Sequence, residues 1–139
     1  MTIRDDLNIA IKEIGIKGFT FIRLTKYEAV LNRIAERFLA HGRLSLNYIW
    51  LWEHFQNPKV LSTEKQTTSF LKDCLLLKER YWFVASEEDG KYWIAESTGK
   101  AIIQVIEEMY PFEYYIAQHD FKWLLCENHH GVFIKTESA

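Results

Sequence analysis

Cysteine, proline and glycine are all scarce in this chain. It has two Cys, two Pro and six Gly in 139 residues. Two cysteines, Cys74 and Cys126, cannot build the disulfide framework of a small secreted scaffold. No low-complexity linker and no internal repeat interrupts the sequence. No apolar run approaches the roughly 20 residues needed to cross a bilayer, which argues against a membrane span. The N-terminus carries no basic-then-apolar leader, so the reading is a cytoplasmic protein with reduced thiols.

Positive charge is not in excess either. The formal net charge is -2, which excludes the simplest nucleic-acid binder, a strongly basic domain. Catalytic signatures are missing as well. The sequence contains no phosphate-binding glycine loop, no dinucleotide fingerprint and no Gly-x-Ser-x-Gly elbow. No CxxC, HxH or HExxH spacing points to a metal, and no cofactor is expected.

What the chain does have is aromatic surface. Phe, Tyr and Trp make up 15% of it, with five Trp. Such side chains bury roughly 150–250 Å² each, enough to fill a core and leave some over for a surface. A length of 139 residues suits one α+β domain spanning residues 1–139. Charge is uneven along it. Residues 1–79 carry 12 Lys/Arg against 9 Asp/Glu, whereas residues 80–139 carry 5 against 10.

Helical periodicity opens the chain. Ile3, Leu7, Ala10, Ile11 and Ile14 form one stripe, Thr2 can cap it, and Gly15 and Gly18 end it. Phe19–Leu24 is a short extended run. Thr25 and Glu28 have capping-box spacing for a second helix from Lys26 to about Ala40, closed by His41-Gly42. From Leu44 to Phe55 the residues alternate, which favours a strand, and residues 56–59 read as a loop. A third helix is expected from about Glu64 to Lys78, with Thr63 as its cap.

The strongest local signal is a hairpin. Arg80–Ser86 and Lys91–Glu96 flank Glu87-Glu88-Asp89-Gly90, and glycine supplies the positive φ such turns need. Both faces of the first strand are apolar, so it belongs at a sheet centre covered on both sides. A helix from about Lys100 to Met109 follows, then strands at Phe112–Gln118, Phe121–Glu127 and Val132–Lys135. The expected fold is an antiparallel sheet of about five strands. One inserted helix and the N-terminal helices pack on it, the latter on one face.

Two sets of candidate site residues emerge. Cys126-Glu127-Asn128-His129-His130 gathers a thiol, a carboxylate, an amide and two imidazoles. Catalysis there would need an electropositive setting to lower the thiol pKa, and Glu127 works the other way. A metal would use His129, His130 and His119 or Glu127, but adjacent histidines on a strand point to opposite faces. The plainer account packs Cys126 in a strand and spends Asn128 and His129 on turn backbone groups. The second set is acidic: Glu87, Glu88, Asp89, Glu113, Asp120 and Glu127 could meet a basic partner.

Tyr81-Trp82-Phe83, Glu88–Trp93, Phe112–Ile116 and Trp123–His130 together resemble small uncharacterised bacterial proteins. Some relatives of that kind resemble immunity proteins of toxin–immunity systems. The resemblance spans roughly residues 80–134. It implies a bacterial, cytosolic, non-enzymatic protein. The acidic second half, for its part, would meet a basic, toxin-like protein partner. The expected function is therefore a binding protein, an immunity protein being its narrower form. The alternatives are a small enzyme or metal protein built on Cys126–His130, and a homo-oligomeric structural subunit.

Overall fold

A computed structural model describes residues 2–42, 50–61, 66–87 and 90–138. Helix α1, Ile3–Ile14, begins with a full capping box: the Thr2 hydroxyl accepts from Asp5 N–H, and the Asp5 carboxylate accepts from Thr2 N–H. It stops at Gly15, which takes a left-handed φ of 65°. Strand β1 is Phe19–Phe21. Helix α2 is Tyr27–Phe38, and its start departs from the capping-box expectation. A 3₁₀ turn over Leu24–Lys26 precedes it, so Thr25 lies inside a helical turn and caps nothing.

Helix α2 also ends early. Leu39 leaves it in an extended conformation and forms an isolated bridge to Phe55. The next backbone groups go the same way: Ala40 N–H donates to His54 O at 2.7 Å and Gln56 N–H to Phe38 O at 2.8 Å. This stitching bears on the strand expected from Leu44 to Phe55. Residues 43–49 lie outside the described residues, and Leu51–His54 forms a 3₁₀ turn instead. Among the described residues, the backbone partners of His54 and Gln56 thus come from the residues at the end of α2 rather than from a strand.

Strand β2, Lys59–Leu61, begins where a loop was expected to end. Helix α3 is shorter than expected, Thr67–Cys74, with Leu75 already extended. Its proposed cap, Thr63, is outside the described residues. Strands β3, Arg80–Ser86, and β4, Tyr92–Thr98, form the expected hairpin. Helix α4, Gly99–Glu108, is capped by the Thr98 hydroxyl, which accepts from Ala101 N–H. Strands β5, Tyr114–Gln118, β6, Trp123–Glu127, and β7, Phe133–Glu137, complete the set.

The strands make one antiparallel sheet in the order β1-β4-β3-β5-β6-β7-β2. The fold is α+β as expected, with seven strands among the described residues rather than about five. The additions are the three-residue edge strands β1, which lies within the extended run expected at Phe19–Leu24, and β2, which is too short for periodicity to register.

Strand alternation splits the interior into two cores. On one face Tyr81, Phe83, Ala85, Tyr114, Ile116 and Leu125 pack with Leu7 of α1, Leu71 of α3 and Ile102 and Val105 of α4. On the other Val84, Ile94, Tyr115, Ala117, Leu124 and Cys126 pack with Val30, Ile34 and Phe38 of α2. The N-terminal helices therefore take opposite faces, not one. The central strands are apolar on both sides, and each side needs its own cover.

Candidate functional site

The site centres on Glu113, the residue just before β5. Alternation puts residue 113 on the same side as Tyr115 and Ala117, towards the α2 core. Its carboxylate is only 6% exposed. A buried carboxylate needs hydrogen-bond donors to offset its lost hydration. Here the Trp52 indole N–H donates to Oε1 at 2.9 Å and the Tyr115 hydroxyl to Oε2 at 2.9 Å. The His129 backbone N–H reaches Oε1 at 3.3 Å, and His129 Nδ1 lies 3.1 Å from the same oxygen. Trp52 and His129, from two segments distant in sequence, meet the neighbouring Tyr115 on this one side chain.

Above it sits an aromatic shelf. Trp50 and Trp52 stack with centroids 6.2 Å apart, and the His129 ring lies 4.7 Å from Trp50 and 6.1 Å from Trp52. His130 continues the shelf, 4.0 Å from His129 and 6.5 Å from Trp52. Both imidazoles are exposed, and both indoles are half-buried. The turn that presents them is held by Asn128, itself 5% exposed. Its side-chain oxygen accepts from His130 N–H at 3.0 Å and from Val132 N–H at 3.1 Å. That is the turn-satisfying role the sequence suggested for Asn128.

The other candidates are dispersed. Cys126 is fully buried in the α2-side core, and burial pushes its thiol well above the ordinary value, with Glu113 adding to the rise. It is not placed to act as a nucleophile. Glu127, one residue on, faces the opposite side of the sheet. There it accepts from the Tyr114 hydroxyl at 2.7 Å and the Thr67 hydroxyl at 3.1 Å. The sheet thus divides the Cys126–His130 cluster. Among the described residues, no three His, Cys, Asp or Glu side chains come together in a way that would hold a metal ion.

The acidic partner-facing surface is not assembled as expected. Glu113 is buried. Glu87 accepts from the Ile3 N–H at the start of α1 and from the Trp93 indole at 3.0 Å. That places a carboxylate where the helix dipole favours one. Asp120 is exposed, 3.4 Å from Lys122. Glu88 and Asp89 lie outside the described residues. Three of the expected surface acids, Glu87, Glu113 and Glu127, instead accept hydrogen bonds from other parts of the fold, and of these Glu113 is buried.

Burial also raises the tyrosines around the site. Tyr92 is pushed up to about 12 by burial and by the negative charge of Glu113. Tyr115 is raised further, by burial first and then by Cys126 and Glu113. Both stay neutral at physiological pH, so Tyr115 remains a donor to Glu113.

Sequence reasoning missed Trp52, Tyr115 and Thr67 as partners. The usable signal was Glu113 itself, a lone acid in alternation with Tyr115 and Ala117. An acid on an apolar strand face announces that donors lie opposite.

No helix among the described residues is long and apolar enough to cross a membrane. Comparison with curated proteins found no match, and comparison with solved structures found none. The model of a family of unknown function, DUF6756, matches residues 1–139, and the chain belongs to that family.

Proposed function

We propose that this protein acts by binding a protein partner, without catalysis, through the shelf of Trp50, Trp52, His129 and His130. The observation that carries the reading is the anchoring of this shelf. Glu113 ties the half-buried Trp52 and the exposed His129 to the sheet from below, so these two rings are held in place before any contact is made. Rings fixed in advance lose little conformational freedom on binding, and tryptophan is enriched among residues that dominate interface energetics. The burial of Cys126, which pushes its thiol up, weighs against a nucleophile in the same segment.

The narrower form is an immunity protein that neutralises a basic toxin by occupying its surface. It is supported by the resemblance of residues 80–134 and by the acidic balance of that half, 5 Lys/Arg against 10 Asp/Glu. With Glu87, Glu113 and Glu127 engaged internally, the contact itself falls to the aromatic shelf, and the acids contribute to long-range steering.

The test is co-purification of tagged protein from its native lysate, beside a Trp50→Ala/His130→Ala double variant. Neither side chain contacts Glu113, so the fold should survive. A stoichiometric partner held by the parent chain and lost by the double variant supports the reading. Retention of that partner by the variant, or a parent chain that purifies alone, counts against it.

A further inference from the structure

On the opposite side of the sheet from the aromatic shelf, an open cleft of about 530 Å³ lies between the start of α3 and the end of α4. That size falls within the usual range for small-molecule sites. Met109, Tyr110, Phe112 and Tyr114 supply apolar and aromatic wall. The charged residues among its described lining are Glu107 and Glu127, both negative, and no Lys, Arg or His of the described lining offsets them.

Glu127 is held rather than loose. The Tyr114 hydroxyl donates to Oε1 at 2.7 Å and the Thr67 hydroxyl to Oε2 at 3.1 Å. Each carboxylate oxygen keeps a further lone pair once these bonds are made. Two neutral donors orient the carboxylate without neutralising it, and neither brings a positive charge. A carboxylate fixed beside aromatic rings is the complement of a cation: charge-assisted hydrogen bonds serve the head group, and ring faces attract it as well.

We propose that this cleft binds a small organic cation, an alkylamine or alkylguanidine. Its charged head would seat on Glu127, and its apolar stem would run along Met109, Tyr110 and Phe112. Glu107, exposed at the cleft, adds attraction without a direct bond.

The test uses isotope-labelled full-length protein followed by NMR, titrated with butylguanidinium and, separately, with neutral butylurea. The two have the same stem and nearly the same planar head; butylurea lacks the charge and carries a carbonyl acceptor where butylguanidinium has an NH2 donor, so a carboxylate should favour the cation on both counts. Saturable shifts at Thr67, Thr68, Met109 and Gly131 with butylguanidinium, and much weaker ones with butylurea, are expected. Glu127→Gln should weaken binding about tenfold or more, since it removes the charge from a charge-assisted bond. Thr68→Lys leaves the bonds of Glu127 to Tyr114 and Thr67 intact and places a competing cation at the cleft. It should abolish the shifts while leaving thermal unfolding unchanged. Equal response to butylurea, no saturable shift, or undiminished binding by Thr68→Lys overturns the proposal. A capped Gly-Arg-Gly peptide that binds where butylguanidinium does not overturns the small-molecule occupant and identifies a basic side chain of a protein instead.

Discussion

The Trp52 indole donates to the buried Glu113 carboxylate at 2.9 Å, although the two residues are 61 apart in sequence. This bond ties the segment after α2 to the entry of β5, and Tyr115 and His129 converge on the same acid. Replacing Glu113 by Ala leaves the buried Tyr115 hydroxyl and the Trp52 indole without an acceptor. A cost of about 3 kcal/mol or more is expected, from one to three per stranded donor. Glu113→Gln keeps an acceptor oxygen and should cost clearly less. Urea unfolding followed by tryptophan fluorescence measures both. Equal stability of parent and Ala variant would show that the cluster holds nothing.

Gly99 opens α4 against the backbone of Leu76. A Cβ on residue 99 would lie 2.3 Å from the Leu76 carbonyl oxygen, which is backbone and cannot rotate away. The same junction is bonded by Gly99 N–H to Glu79 O at 3.0 Å and Lys100 N–H to Leu77 O at 3.0 Å. Gly99→Ala should destabilise by about 1–3 kcal/mol, as overpacking does. The expected intrinsic gain of Ala over Gly in a helix is smaller, about 1 kcal/mol. A thermal melt with an unchanged or raised midpoint would contradict the close approach.

Tyrosine titration gives a pH-dependent check. Tyr110 is raised to about 12, first because its hydroxyl donates to Asp6 and then through burial. Tyr92 is raised to about 12 by burial and by Glu113. Both groups are neutral when protonated, and the folded state holds the proton more tightly than the unfolded chain. Their contribution to stability is therefore complete below pH 10 and lost as pH rises from about 10 to about 12. Asp6→Asn should bring Tyr110 back towards 10 and leave Tyr92 unmoved. Ultraviolet difference titration reads the change as one fewer late-ionising phenol. No change in the late phase would refute the Asp6–Tyr110 bond.

Cys126 should be silent to thiol reagents in the folded protein. It is fully buried and its thiol is raised by that burial. In a Cys74→Ser background, a disulfide-exchange reagent at neutral pH should release no chromophore until denaturant is added, and then one equivalent. Fast native reaction would reopen the nucleophile reading of the Cys126–His130 segment.

Much of the framework was legible from the chain alone. Thr2 and Gly15 bracket α1, and the β3–β4 hairpin carries its turn glycine at residue 90. Each of these rests on residues within a few positions of one another, where side chain and backbone meet whatever the rest of the chain does. The double-sided apolar pattern of Tyr81–Ala85 likewise required a covered sheet centre. Four things were decided elsewhere. Alternation from Leu44 onward could not reveal that α2 would take the backbone partners of residues 54 and 56. The apolar stripes of α1 and α2 look alike, yet only the sheet's two faces assign them to different cores. Capping-box spacing at Thr25 could not show that a 3₁₀ turn would occupy its place. Glu113, finally, reads as one more acid in an acidic half. Burial against Trp52, Tyr115 and His129 makes it an anchor, because a carboxylate's role is set by the donors around it, and two of these, Trp52 and His129, come from distant segments.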